Sequence, residues 1–238
     1  MTKIVQKMLP FCDERPAKIK ALVLHCSKYG ANEMVEILQE NQLSSHYIID
    51  TDGSIVQCVA ENKRAWHAGV SKWRGRENLN HYSIGIELSS ATMGQSEYPK
   101  KQIKAAVKLC RQIIKHYQIP KVNVVAHSDI APIRKPDPGK MFPWQYLAKK
   151  GIGLWYDIND AAKVEENDVI KLLEMIGYDT SNPAAASYAF CRHFAGQEVA
   201  EQDDIKKLIE NVYPPEFVLP EKYVPILKAC AYKYAKKR

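Results

Sequence analysis

Two histidines and one aspartate are the residues most able to do chemistry in this chain: His25, His127 and Asp137. Each histidine closes a short apolar run, LVLH at 22–25 and VVAH at 124–127. A strand that ends in histidine delivers an imidazole to the rim of a sheet, where sites are commonly built. Asp137 follows in a loop stiffened by Pro132, Pro136 and Pro138. Two imidazoles and a carboxylate are a common catalytic zinc set, in which three protein ligands leave a fourth position for water. On spacing alone two other readings stay open: hydrogen-bonded structural histidines, and an aspartate that merely forms a turn between prolines.

Periodicity outlines the elements that must position these groups. Residues 19–25, 83–89 and 123–127 are short apolar runs of the kind that buried strands give. Residues 46–50 and 54–58 form a hairpin pattern about Thr51-Asp52-Gly53, because Asp-Gly tolerates positive φ. Asn32 is placed to cap a helix running to Glu40, with Met34, Ile37 and Leu38 on one face. Over 99–117, Ile103, Val107, Cys110 and Ile114 recur at threes and fours, which is a helix. After Gly151 strand signals vanish. Helical patterns cover 165–176, 183–194, 203–212 and 222–235, with Gly177 at a C-cap position. The reading is an α/β domain over residues 1–155 followed by a small all-α bundle over 156–238.

With 46% hydrophobic and 26% charged residues, the 238-residue chain has ample material for a core. The net charge of +7 is mild, and the basic residues are not gathered into a stripe, so no nucleic-acid partner is expected. A mildly positive surface suits an anionic polymer. Six scattered cysteines with no CxxC are expected to be reduced thiols. No run approaches the roughly 18 apolar residues that cross a bilayer, and residues 1–20 lack the apolar centre of a secretory signal. The expected location is cytoplasmic; a removed leader would instead make it periplasmic or envelope-associated. Oligomeric state is not legible.

Five segments in order carry a family resemblance: LVLHCS (22–27), SSHYIIDTDGSIVQCV (44–59), RAWHAG (64–69), NHYSIGIEL (80–88) and VVAHSDIAPIRKPDPG (124–139). The chain resembles the zinc-dependent, type-2 N-acetylmuramoyl-L-alanine amidases, which share a fold with peptidoglycan recognition proteins and the phage T7-type lysozyme. The resemblance implies a mixed central β-sheet flanked by helices. It implies one catalytic Zn2+ on His25, His127 and Asp137, with Glu87 as general acid/base and Lys135 as the cation at the transition state. It also implies that Tyr47, Trp66, His67 and Asn80 line the groove for sugar and stem peptide.

The physics of the residues fits those roles without forcing them. A carboxylate in a buried strand, such as Glu87, needs a task or a partner; the plainer alternative is an ion pair. Lys135 could equally be a solvated loop lysine, and Tyr47 and Trp66 core aromatics. Alternation turns His46 away from Tyr47, and Cys26 away from His25. Cys26 stands where many relatives have His or Asn, a departure that bears on substrate contacts beside the first ligand and not on the metal set.

The implied reaction is hydrolysis of the amide between the lactyl group of N-acetylmuramic acid and L-alanine. Its partners would be peptidoglycan or muropeptide fragments, including 1,6-anhydro-muropeptides. Segments 169–179 (VIKLLEMIGYD) and 189–213 resemble a peptidoglycan-binding-like helical domain, which favours polymeric wall; the missing leader favours soluble fragments. The alternative is a non-catalytic peptidoglycan-recognition module. Pure binders typically lack a metal ligand, and here the set is complete.

Overall fold

A computed structural model describes residues 4–199 and 204–236. Its strands are β1 (Ile4–Gln6), β2 (Cys12–Glu14), β3 (Ala21–Ser27), β4 (Tyr47–Ile49), β5 (Ile55–Gln57), β6 (Lys63–Ala65), β7 (Lys72–Trp73), β8 (Arg76–Glu77), β9 (Ser83–Ser89) and β10 (Val124–Ala126). Six of these form one sheet in the order β1-β5-β4-β9-β3-β10. Only the β4–β5 hairpin is antiparallel, so the sheet is mixed. The pairs β2–β6 and β7–β8 are small separate ribbons. These short edge pieces carry no periodic pattern and were not foreseen.

The helices are α1 (Ala31–Glu40), α2 (Lys100–Tyr117), α3 (His127–Ile130), α4 (Trp144–Lys149), α5 (Val169–Ile176), α6 (Pro183–Phe194), α7 (Ile205–Glu210) and α8 (Val224–Ala235). Among the described residues no helix is long and apolar enough to cross a membrane. The expected cap at Asn32 is replaced. Gly30 precedes α1, and the Asp50 carboxylate, reaching in from the β4–β5 turn, accepts the Ala31 N–H at 2.8 Å. Asn32 accepts from Lys7 instead. Helix α5 starts at Val169 rather than 165 because Asp168 caps it, accepting from Ile170 N–H at 2.8 Å. Asp203, at the start of the expected 203–212 helix, lies outside the described residues.

Strand alternation divides the sheet into two faces. Leu22, Leu24, Ile84, Ile86 and Leu88 pack against Ile103, Leu109, Cys110 and Ile113 of α2. On the other face, Ala21, Val23 and Val125 meet Leu173, Phe190 and Leu227 of the C-terminal helices. Further along that face, Ile48 and Val56 meet Met34 of α1. Between these two apolar clusters the central strands present Ser83, Gly85, Glu87 and His25. A polar strip thus runs between two hydrophobic mounds.

One buried carboxylate ties the C-terminal helices to the end of β10. Asp129 is fully buried and accepts three hydrogen bonds, each of 2.7 Å, from Ala126 N–H, the Tyr178 hydroxyl and His193 Nδ1. Ala126 is the residue before His127, so helical-segment side chains steady the turn that presents it. His193 is itself stacked on Trp144, with centroids 3.9 Å apart. Tyr178→Phe removes one donor and leaves the carboxylate under-satisfied, so it should lower stability by about 1–3 kcal/mol, read as a drop in the urea midpoint.

Candidate metal centre and groove

Register, not loop geometry, brings the first two groups together. His25 on β3 pairs directly with Glu87 on β9, both on the polar strip. His127 begins α3 immediately after β10, the other neighbour of β3. The third group arrives on the proline loop, which is clamped from both sides. Ser128 N–H donates to Asp137 O at 2.9 Å, and the Tyr98 hydroxyl donates to Pro138 O at 2.7 Å. A Cβ on Gly94 would collide with Pro138 O, so this close backbone approach requires glycine there.

His25, His127 and Asp137 are all buried and form the cluster able to hold a metal ion. The two Nδ1 atoms are 2.9 Å apart; Asp137 Oδ2 lies 3.1 Å from that of His127 and 3.4 Å from that of His25. The outer nitrogens are engaged elsewhere. His127 Nε2 faces Ala68 O at 3.1 Å, and since a carbonyl only accepts, that nitrogen carries the proton. His25 Nε2 faces His67 Nδ1 at 2.9 Å. In neutral rings so arranged, the inner Nδ1 atoms present lone pairs to each other and to a carboxylate. Three electron-rich atoms converging at these separations fit a cation with bonds of about 2.0–2.2 Å.

Electrostatics agrees. Burial and the facing His127 ring push His25 down to about 4, so it stays neutral. Burial alone would raise Asp137; a proton carried by the facing His127 or His25 ring offsets this and holds it well below the ordinary carboxylate range, the part a bound cation would take when both rings are neutral. Glu87 moves the other way, to about 8, because burial and the Asp137 charge penalise its ionised form while Lys135 offsets part of this. Its Oε1 lies 4.0 Å from His25 Nδ1, and its buried Oε2 has no hydrogen-bond partner among the described residues. Among the described residues no lysine or arginine pairs with Glu87. A carboxyl poised about one water away from the cluster can exchange a proton with that water.

The groove over this cluster has a volume of about 340 Å³ and is lined by Trp66, His67, Asn80, Glu87 and Lys135 among others. Ile209 of α7 also lines it, a contribution from the helical segment that sequence could not locate. Tyr47 is the expected site residue that the structure does not bring in. It pairs with Ile86 and so faces α2, where its hydroxyl donates to Glu61 at 2.8 Å; the position on the site's side of β4 is Ile48, opposite Glu87. Asn80 spends its Oδ1 on the backbone N–H groups of His67 and Ala68, at 3.1 and 2.8 Å. His67 has both ring nitrogens engaged inside the protein. Cys26 packs with Leu22 and Leu24, away from His25.

Several contributors had no readable signal. The Ala68 carbonyl is backbone, and Arg134, which donates to Val70 O at 2.5 Å and Ala68 O at 3.2 Å, looked like any loop cation. Gly85 did carry a hint, since a glycine inside a strand often marks a close approach.

Residues 15–140 match the family model described as N-acetylmuramoyl-L-alanine amidase. The N-acetylmuramoyl-L-alanine amidase AmiD of Escherichia coli is 39% identical over 186 residues, covering 68% of this chain and 67% of that protein. Its solved complex with anhydro-N-acetylmuramic acid-L-Ala-D-gamma-Glu-L-Lys superposes with a TM-score of 0.74, 34% identity, and 94% and 93% of the two chains. AmpDh3 from Pseudomonas aeruginosa, solved with anhydromuramic pentapeptide, gives 0.75 at 30% identity over 92% and 94%.

The buried imidazoles predict an acid-sensitive protein. His25 near 4, His46 near 3 and His67 well below 6.5 are neutral when folded, yet take up protons near 6.5 when unfolded. The unfolded state therefore binds more protons across about pH 4–6.5, and stability present above 6.5 is lost as pH falls. Glu87 has the opposite sign between 4.5 and 8, one group against three. Urea midpoints of chelator-treated protein should fall steadily from pH 7 to pH 5; a flat profile would contradict this electrostatic reading.

Proposed function

The chain belongs to the N-acetylmuramoyl-L-alanine amidase family, and from that membership we propose that it uses one zinc ion, held by His25, His127 and Asp137, to cleave muropeptides. The observation that carries the reading is the convergence of His25 Nδ1, His127 Nδ1 and Asp137 Oδ2 within 3.4 Å of one another, beside the buried Glu87 carboxyl. When bound, such an ion polarises the scissile carbonyl and lowers the pKa of a water to roughly 7. A non-catalytic recognition module would not need Glu87, whose burial is costly without a proton to move.

The protein's own residues then divide the work. Glu87 in its ionised form takes the proton of the attacking water and returns it to the nitrogen of L-alanine as the lactyl carbonyl–nitrogen bond breaks. Lys135, two residues before Asp137 and close enough to influence Glu87 and His25, offers fixed positive charge to the oxyanion. Trp66 supplies a flat apolar wall, and the free side of the Asn80 amide a donor for peptide carbonyls.

The relatives solved with anhydromuramyl peptides favour 1,6-anhydro-muropeptides as substrate, in turnover or recycling of the wall. The helical segment, residues 156–238, serves as a peptidoglycan-binding-like domain that lends the groove Ile209. None of the six cysteines forms a disulfide and five of them are buried, which suits a reducing cytoplasmic setting.

Incubation with an anhydro-muropeptide should yield free stem peptide and 1,6-anhydro-N-acetylmuramic acid by mass spectrometry. Chelation should abolish this and zinc restore it; retained turnover in metal-stripped protein sinks the zinc reading. Glu87→Gln should keep the metal and lower kcat by about 10²–10⁴-fold, whereas His25→Ala should lose the metal itself.

A further inference from the structure

We propose that His67 is a positioning residue that fixes the tautomer and orientation of His25 through a one-way hydrogen-bond chain ending on the Leu79 carbonyl. The proposal rests on the metal-site reading above and assigns His67 a task other than contact with substrate.

The direction of the chain follows from its far end. Ser83 Oγ lies 2.6 Å from Leu79 O, and a carbonyl can only accept, so the serine proton is spent there. Ser83 Oγ must then accept from His67 Nε2, 3.2 Å away, which places the proton of the neutral ring on Nε2. His67 Nδ1 is left bare and faces His25 Nε2 at 2.9 Å, so that nitrogen must be the donor. His25 Nδ1 consequently carries a lone pair, aimed at the Asp137 and His127 cluster. Each link leaves only one orientation for the next.

The sheet is built to hold this ring. An ideal Cβ on Gly85 would sit 2.5 Å from His67 Cγ, so the glycine in the middle of β9 is the ring's seat. The rings of His67 and His25 meet edge to face, with centroids 5.0 Å apart and planes at 86°. The backbone of residues 67–68 is held by Asn80 Oδ1, which also fixes the Ala68 carbonyl that serves His127. Both imidazoles of the cluster are thus oriented from the single loop 66–69. Partners that orient a metal-bound histidine typically change metal affinity 10- to 100-fold when removed.

The test uses the full chain. Long-range nitrogen–proton NMR of metal-free protein should show His25 and His67 both in the Nε2–H form; an Nδ1–H signal for either ring overturns the proposal with no variant needed. Zinc affinity from competition with a chelating dye should weaken about 10- to 100-fold in His67→Phe. His67→Gln, whose amide oxygen can accept from His25, should recover most of it. Circular dichroism of each metal-free variant reports folding separately. Unchanged zinc affinity in a folded His67→Phe overturns the positioning role while leaving the metal site intact. Absent zinc binding in the unsubstituted protein overturns the metal site itself, so the two failures are distinct.

Discussion

Everything around the site answers one electrostatic demand: three atoms bearing lone pairs or negative charge are held within 3.4 Å of one another inside the protein. Left alone, such a group would swing apart, pick up protons or admit water. Here each arm is braced from behind. His25 is braced by His67, His127 by the Ala68 carbonyl, and Asp137 by the backbone clamps at Ser128 and Tyr98. The bracing groups come from three separate stretches of chain, around residues 67–68, 98 and 128, so the cluster is a property of the fold rather than of any one loop.

The same demand explains why a polar strip survives on an otherwise apolar sheet. The α1 cluster and the C-terminal cluster flank it, lowering the dielectric and keeping imidazoles neutral. Glu87 shares that environment but answers in the opposite direction, because a buried acid resists losing its proton while a buried imidazole resists gaining one. Two kinds of acid–base behaviour therefore arise from one surrounding. Lys135 tempers the penalty on Glu87 from the open side of the groove.

The strand-end histidines were legible because apolar runs that stop at a polar residue mark where a buried strand meets a loop. The parallel packing of those strands was not legible, since pairing partners are set by tertiary contacts. Alternation correctly separated Cys26 from His25, and it separates Tyr47 from Ile48 just as sharply. It cannot say which of two faces looks at the site, and Tyr47 fell on the α2 side for that reason. His67 was visible as a site-region residue, but its direction was decided by Ser83, a residue with no signal of its own, and by Gly85, whose place inside a strand hinted at a close approach without saying of what. The helical segment read as helical from its caps and periodicity. That one of its tyrosines and its single histidine reach across to Asp129 left no trace in spacing.

That reach constrains how this chain can be recombined. An Asp129 carboxylate served by Tyr178 and His193 as well as Ala126 depends on side chains more than forty positions downstream. Exchanging the last third for a different segment would leave a buried carboxyl two donors short, two residues from the candidate ligand His127. The two segments are consequently a matched set: an exchange at a boundary near residue 155 would be felt at His127, two residues from the carboxyl that loses its donors.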